Sequence, residues 1–354
     1  MTTLAKSPRY IPSLDGLRAV SILLVVLSHI RFSNGTPKFL SDGLALLPSG
    51  DIGVTIFFVI SGFLITSLML QEGDLHGNID VTKFYIRRIL RILPVNYLYI
   101  FIVFLANGLE RLDIQPVNYW QALTYTVNFS LTGSWMLGHL WSLAVEEQFY
   151  LFWPWIMKLS KKMITRTALF IILFAPIVRV AAHFYPQYRL ILLAPFLGFA
   201  DSLMIGSLLA VSRGAYPGVW NSSWLKNGAL LPLAITTIWA TQLMSHISHC
   251  GFFTLPFGRT LISISAACIL ARTITVKQGF VFSLLNTSVM KYFGTLSYSL
   301  YIWQEFFLCP AEFPFAGAWW RWFPVNVLLA LIAAALSYHF WEKRFLKLKA
   351  RFSR

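Results

Sequence analysis

The sequence predicts an all-α fold, a polytopic membrane helical bundle of about ten transmembrane spans with both termini cytoplasmic, and three observations predict it. Hydrophobic residues make up 57% of the 354 and charged residues only 12%, with mean hydropathy +0.64, far from the roughly 25% charged residues of soluble domains. Apolar runs long enough to approach or cross a hydrocarbon core of roughly 30 Å recur near 13–32, 50–70, 86–106, 137–158, 167–183, 190–211, 228–247, 256–274, 290–309 and 322–341. Basic residues fall in alternate connections: Lys83, Arg87 and Arg88, then Lys158, Lys161, Lys162 and Arg166, then Arg213 and Lys226, then Arg272, Lys277 and Lys291, and finally the tail from Lys343. That asymmetry follows the positive-inside rule.

The formal net charge of +15 does not point to nucleic acid, because the basic residues lie between apolar runs rather than in one patch. Residues 1–354 read as a single integral-membrane domain with no appended soluble domain, since neither a linker nor a charged low-complexity block interrupts them. The basic start precedes an apolar run without a small-residue cleavage site, so the first helix is read as retained. Cys250, Cys268 and Cys309 lack metal-ligand spacing and read as apolar packing residues.

The first span, SLDGLRAVSILLVVLSHIRF, carries Arg18 and His29. Their eleven-residue spacing returns to within about 20° of one face and separates them by roughly 16 Å along the helix. Ionisable groups in hydrocarbon usually face a bundle interior or a wet cavity and serve a function. The alternative is an arginine that snorkels to headgroups and a histidine that hydrogen-bonds a neighbour. In the second span, Asp51 and Thr55 lie one turn apart near the outer end, and Ser61 with Gly62 offers a small surface for close helix approach.

The third span opens on KFYIRRILRILP. Arg88 and Arg91 share a face at its cytoplasmic entry, and guanidinium forks suit phosphate. Lipid headgroups would serve them equally. Residues 118–131 form a shorter amphipathic piece that fits an eleventh span, a re-entrant helix or an interfacial one. The fourth span, GHLWSLAVEEQFYLFWPWIM, holds His139, Trp141 and the adjacent carboxylates Glu146 and Glu147. At least one of two neighbouring carboxylates in hydrocarbon needs a cation or a proton.

Later spans carry isolated polar groups, Arg179, Asp201, Arg259 and Arg272, which read as intramembrane pairs or interfacial anchors. In the ninth span, Ser297, Tyr301 and Gln304 or Glu305 are placed to face a cavity. The stretch 312–323, EFPFAGAWWRWF, is an aromatic cluster of the kind found in interfacial belts, and stacked rings also suit sugar faces.

Taken together and in order, DGLRAVSILLVVLSH, GVTIFFVISGFLI, FYIRRILRILP, HLWSLAVEEQFYLFWP, FADSLMIG, SYSLYIW and SYHFWE resemble the acyltransferase 3 family of integral-membrane acyltransferases. The resemblance covers essentially the whole chain. It implies O-acetyl transfer from a cytoplasmic acyl-CoA, acetyl-CoA above all, to a hydroxyl of an extracytoplasmic or lipid-linked glycan such as lipopolysaccharide O-antigen. Peptidoglycan, an exopolysaccharide and a small metabolite are the alternative acceptors. It also implies a multi-pass protein of the bacterial inner membrane, in contact with lipids and with no nucleic-acid partner. The family's Arg and His pattern lands on Arg18 and His29, its arginine pair on Arg88 and Arg91, and its fourth-span carboxylates on Glu146 and Glu147.

The chain departs from the family in three places. Thr55 stands where many relatives have Asp, leaving Asp51 as a substitute; Gln304 stands where the ninth-span motif often ends in His; and Arg344 stands where Pro usually follows Glu342 by two residues.

The expected mechanism follows. Arg18, Arg88 and Arg91 hold the phosphates of the donor, and His29 is the general base on the acceptor hydroxyl or takes the acyl group itself. Glu146 or Glu147 orients the imidazole or pairs an arginine, while Asp51, His139 and Trp141 are the substrate-binding candidates. The chemistry calls for no metal. The competing class is a transporter or flippase, for which intramembrane charges would line a path between internal repeats, and no convincing repeat is visible. A non-catalytic scaffold would leave the aligned Arg18 and His29 unexplained.

Overall fold

The computed structural model describes residues 11–110, 112–310, 313 and 318–352. Within them all ten anticipated segments are helical: α1 (Pro12–Phe32), α2 (Gly50–His76), α3 (Val81–Glu110), α4 (Leu140–Met157), α5 (Lys161–Phe184), α6 (Ala194–Ala215), α7 (Leu230–Ser245), α8 (Arg259–Thr275), α9 (Ser288–Phe307) and α10 (Val325–Leu336). No strand occurs among the described residues, apart from an isolated bridge between Ser33 and Pro310. Helices are what such apolar runs must form, since backbone polar groups in hydrocarbon have to be satisfied within the segment.

Among the described residues, seven helices are long and apolar enough to cross a membrane: α1, α2, α3, α5, α6, and two that extend beyond α8 and α10 as Gly251–Thr275 and Val325–Ala350. The other three of the expected ten fall short for physical reasons. Helix α7 has only 16 residues, and α4 and α9 carry the carboxylates Glu146, Glu147 and Glu305 among their apolar residues. The segment at 118–131 is not a span. It folds as Pro116–Leu123, eight residues and so about 12 Å long, followed by a 3-10 turn at Val127–Phe129.

Local chemistry sets several helix ends. Asp80 precedes α3 and its carboxylate accepts from Lys83 N at 2.9 Å, a bond that also holds the Asp80 carboxyl below the usual carboxylate range. Ser160 caps α5 by accepting from Met163 N at 3.4 Å.

The described chain divides into two compact units, and the division falls inside α1, α4 and α9 and after the first two residues of α2. The first comprises residues up to Ser21, Ile52–Ile79 and Gln148–Gly294. Its core gathers Leu14, Leu17, Val59, Phe63, Ile205, Leu270 and Ile274. Helices α2 and α6 cross at glycine: a Cβ on Gly62 would overlap the carbonyl oxygen of Leu203, and one on Gly206 would overlap that of Val59. The small surface at Gly62 thus serves packing.

Buried polar groups of this unit close on one another. Arg179 on α5 donates to Asp201 Oδ2 at 3.0 Å, to Gly198 O at 2.8 Å, to Thr260 Oγ1 at 2.7 Å and to Pro256 O at 2.6 Å. Asp201 is fully buried, and its carboxylate also accepts from Thr260 Oγ1 and Ser202 N. Arg259 lies over the Phe199 ring and donates to Thr55 Oγ1 at 3.1 Å, so the residue standing where relatives have Asp still partners an arginine.

The second unit comprises Ile22–Asp51, Asp80–Glu147 and the residues from Thr295. Here Trp341 Nε1 donates to Pro94 O at 2.8 Å and Tyr298 Oη to Ile92 O at 2.6 Å, tying the C-terminal helix and α9 to α3. Of the aromatic stretch 312–323, residues 312 and 314–317 lie outside the described residues. Trp320 packs inward, stacked on Phe306 and covered by the fully buried Arg321, while Trp319 is exposed.

Candidate active site

Three elements of the second unit converge on one carboxylate. Helix α1 brings His29 within its last turn, α9 brings Glu305, and His139 sits at the joint between the short helix Trp135–Gly138 and α4. His29 Nε2 lies 3.2 Å from Glu305 Oε1, and His139 Nδ1 lies 3.0 Å from Glu305 Oε2. The far nitrogen of each ring meets a backbone carbonyl: His29 Nδ1 is 2.9 Å from Val25 O and His139 Nε2 is 3.2 Å from Ile302 O. Both rings are therefore held at both ends.

A shell of aromatic residues fixes the arrangement. Tyr99 Oη donates to Met136 O at 2.6 Å and so anchors the short helix, while its ring meets His139 edge-on. Tyr301 Oη donates to His139 O at 2.6 Å and pairs with Ser142 Oγ at 2.6 Å. Trp135 Nε1 donates to Glu305 O at 3.0 Å, and its ring packs edge-on against His29. The His29 side chain keeps 23% exposure where that of His139 keeps 2%. The His29 ring is thus the more accessible of the two, and His139 is sealed.

The remaining sequence candidates take other places. Asp51 opens α2, is exposed, and its charge reaches His29. Glu147 lies within the field of Arg88 and of its neighbour Glu146, and the charge of Glu146 reaches Tyr301. Arg88 on α3 lies over the Phe84 ring, and Arg91 acts electrostatically on Tyr298. Trp141 follows His139 at the start of α4 and is half-buried. Arg18 belongs to the first unit, where it pairs with Asp15 one turn away at 3.6 Å. The carboxylate facing both imidazoles is Glu305, for which the sequence offered only a cavity-facing position in α9. Its signal was the Gln-Glu pair that stands where related motifs end in His.

A partly exposed imidazole beside a buried carboxylate is a pair that acid–base chemistry can use once one ring nitrogen is released from its partner. The sequence profile of the acyltransferase domain family matches residues 11–341, and the chain belongs to this family of membrane acyltransferases. It is 31% identical over 375 aligned residues to the Bacillus subtilis (strain 168) protein named "Putative peptidoglycan O-acetyltransferase YrhL", covering 95% of this chain and 55% of that one. It is 28% identical over 332 residues to the peptidoglycan O-acetyltransferase OatA of Listeria monocytogenes, covering 84% of this chain and 49% of that one. The chain thus spans about half the length of the curated relatives it matches along most of its own. No solved structure matches it.

Proposed function

We propose that this chain is an O-acetyltransferase of a bacterial cytoplasmic membrane that moves an acetyl group from acyl-CoA to a hydroxyl of a cell-envelope glycan. The observation that carries the reading is the contact of His29 with Glu305 and of Glu305 with His139. Arg88 and Arg91 hold the donor's phosphates near the start of α3. Eleven residues further along the same helix, roughly 16 Å, the Tyr99 ring meets His139. That span matches the reach of a pantetheine arm, which sets the thioester near His29.

The chemistry balances without a further reactant. The acceptor oxygen attacks the thioester carbonyl while His29, its Nε2 released from Glu305 to meet the acceptor hydroxyl, removes the proton; the C–O bond forms, the C–S bond breaks, and the leaving thiolate takes the proton from His29. Asp51 and Trp141 lie in the same unit and serve the acceptor, while the exposed apolar side chains Phe170, Leu173 and Ile177 of α5 face lipid. The names of the relatives favour peptidoglycan over lipopolysaccharide O-antigen as acceptor.

The test is reconstitution of purified protein in liposomes with radiolabelled acetyl-CoA and, in separate arms, peptidoglycan precursors and O-antigen precursors. Label appearing on a glycan with stoichiometric release of free CoA supports the proposal. CoA release without labelled acceptor, or none with any acceptor, overturns it. A transported substrate recovered unchanged would favour the transporter class.

A further inference from the structure

We infer that the exposed face of the C-terminal helix formed by Lys343, Arg344 and Lys347 is a docking surface for the phosphate headgroups of anionic lipids. It depends on a chain that spans a membrane and not on the acyl-transfer reading above.

Depth along the helix comes first. The helix Lys343–Ala350 continues the apolar stretch Val325–Ala350 through the π-helical turn Ser337–Glu342. About 27 Å of helix separates Val325 from Lys343, close to one hydrocarbon core of roughly 30 Å. The apolar part therefore ends where the cations begin, and the exposed rings of Phe340 and Trp341 stand just ahead of them, as aromatic residues do at a membrane interface. From Lys343 to Lys347 is roughly 6 Å further, about the depth of one headgroup layer. Arg351 lies one turn beyond, near enough for its field to reach the same layer.

One side of this helix is taken up by the protein. Trp341 Nε1 donates to Pro94 O, the Trp341 and Phe345 rings meet, and Arg87 Nη1 donates to Phe352 O at 3.0 Å, so the side carrying Phe345 and Phe352 packs on α3. At about 100° per residue, Lys343, Arg344 and Lys347 lie roughly 90–170° round the helix from that side. All three are exposed, and among the described residues none of them forms a salt bridge. Residues 343–354 hold six basic residues and no Asp or Glu. The preceding acid, Glu342, is buried and accepts from Ser299 Oγ at 2.7 Å. Membrane orientation needs only a count of positive charges; it does not need them gathered on one open face. At that depth the partner of opposite charge is a lipid phosphate, which ammonium and guanidinium donors both suit. The phosphates of an acyl donor share this chemistry, but Arg88 and Arg91, read above as holding them, lie on α3, from which this face is turned.

The experiment measures lipid binding to the purified full chain in detergent by native mass spectrometry, titrating phosphatidylglycerol and phosphatidylcholine with the same acyl chains. One cation at a membrane surface is worth roughly fivefold in binding, so wild type should prefer phosphatidylglycerol by about tenfold or more. The combined substitution Lys343→Gln, Arg344→Gln and Lys347→Gln should remove at least about fivefold of that preference. A wild type without preference, or a triple variant that loses less, overturns the inference. Free CoA and inorganic phosphate, at matched ionic strength, form separate arms. Neither should displace the bound lipid, and displacement by either assigns the face to soluble phosphates and overturns the lipid partner. Should the triple variant fail to fold by tryptophan fluorescence and gel filtration, Lys343→Gln and Lys347→Gln singly make the comparison, each losing about twofold or more; no loss in either overturns the inference. Acetyl transfer is not the readout, so a failure of that reading and a failure of this one are told apart.

Discussion

Replacing Glu305 with Gln keeps the volume of the side chain and removes its charge, so it isolates what the carboxylate does for His29. As His29 gains the acceptor proton, a positive charge forms 3.2 Å from Oε1. At an effective dielectric of about 20, unit charges at that separation interact by about 5 kcal/mol. Part of this is offset by the partial exposure of His29 and by the amide that replaces the acid, which leaves about 2–4 kcal/mol, in line with charge-assisted hydrogen bonds. At about 1.4 kcal/mol per decade, kcat should fall roughly 30- to 1000-fold. The assay is single-turnover transfer of acetyl label in liposomes, with donor binding measured separately. Donor affinity should change little, because the carboxylate acts on a charge that exists only during the reaction. A loss confined to KM, or a variant within a factor of about three of wild type, would refute the role given to Glu305.

Further outcomes follow from the packing. Asp201→Leu leaves Arg179 as an uncompensated buried charge and is expected to destabilise the protein by about 3–5 kcal/mol, read as lowered melting temperature in detergent. Gly62→Val drives a side chain into the Leu203 carbonyl and should cost at least about 1–3 kcal/mol, seen as loss of monodisperse protein on gel filtration. Tyr301→Phe removes the hydroxyl that holds His139 O and Ser142 Oγ; a cost of about 1–3 kcal/mol is expected, and kcat should fall with it because the His139 joint loosens. Melting curves and transfer rates on the same preparations check both effects.

The fold was largely legible in the sequence. Every one of the ten apolar runs is a helix, because length and apolarity alone oblige a backbone in hydrocarbon to bond internally. The two glycines at the α2–α6 crossing belong to GVTIFFVISGFLI and FADSLMIG, and their role there is close approach of backbones. The site was half legible. His29 and His139 stood out as lone imidazoles in apolar spans, but nothing in their local sequence shows that they share a partner. Glu305 lies 276 positions from His29 and 166 from His139, and only tertiary packing brings it between them. Glu146 and Glu147 drew attention by being adjacent, yet adjacency on a helix turns two side chains about 100° apart, and Glu147 lies instead in the field of Arg88.

The most direct test of the central claim is acetyl transfer by His29→Ala, folded and reconstituted beside wild type with labelled acetyl-CoA and a peptidoglycan-precursor acceptor. Wild type should label the acceptor and the variant should not, while both retain the donor. Equal labelling by the two proteins would contradict the account, because a base at His29 is what the Glu305 contact exists to support.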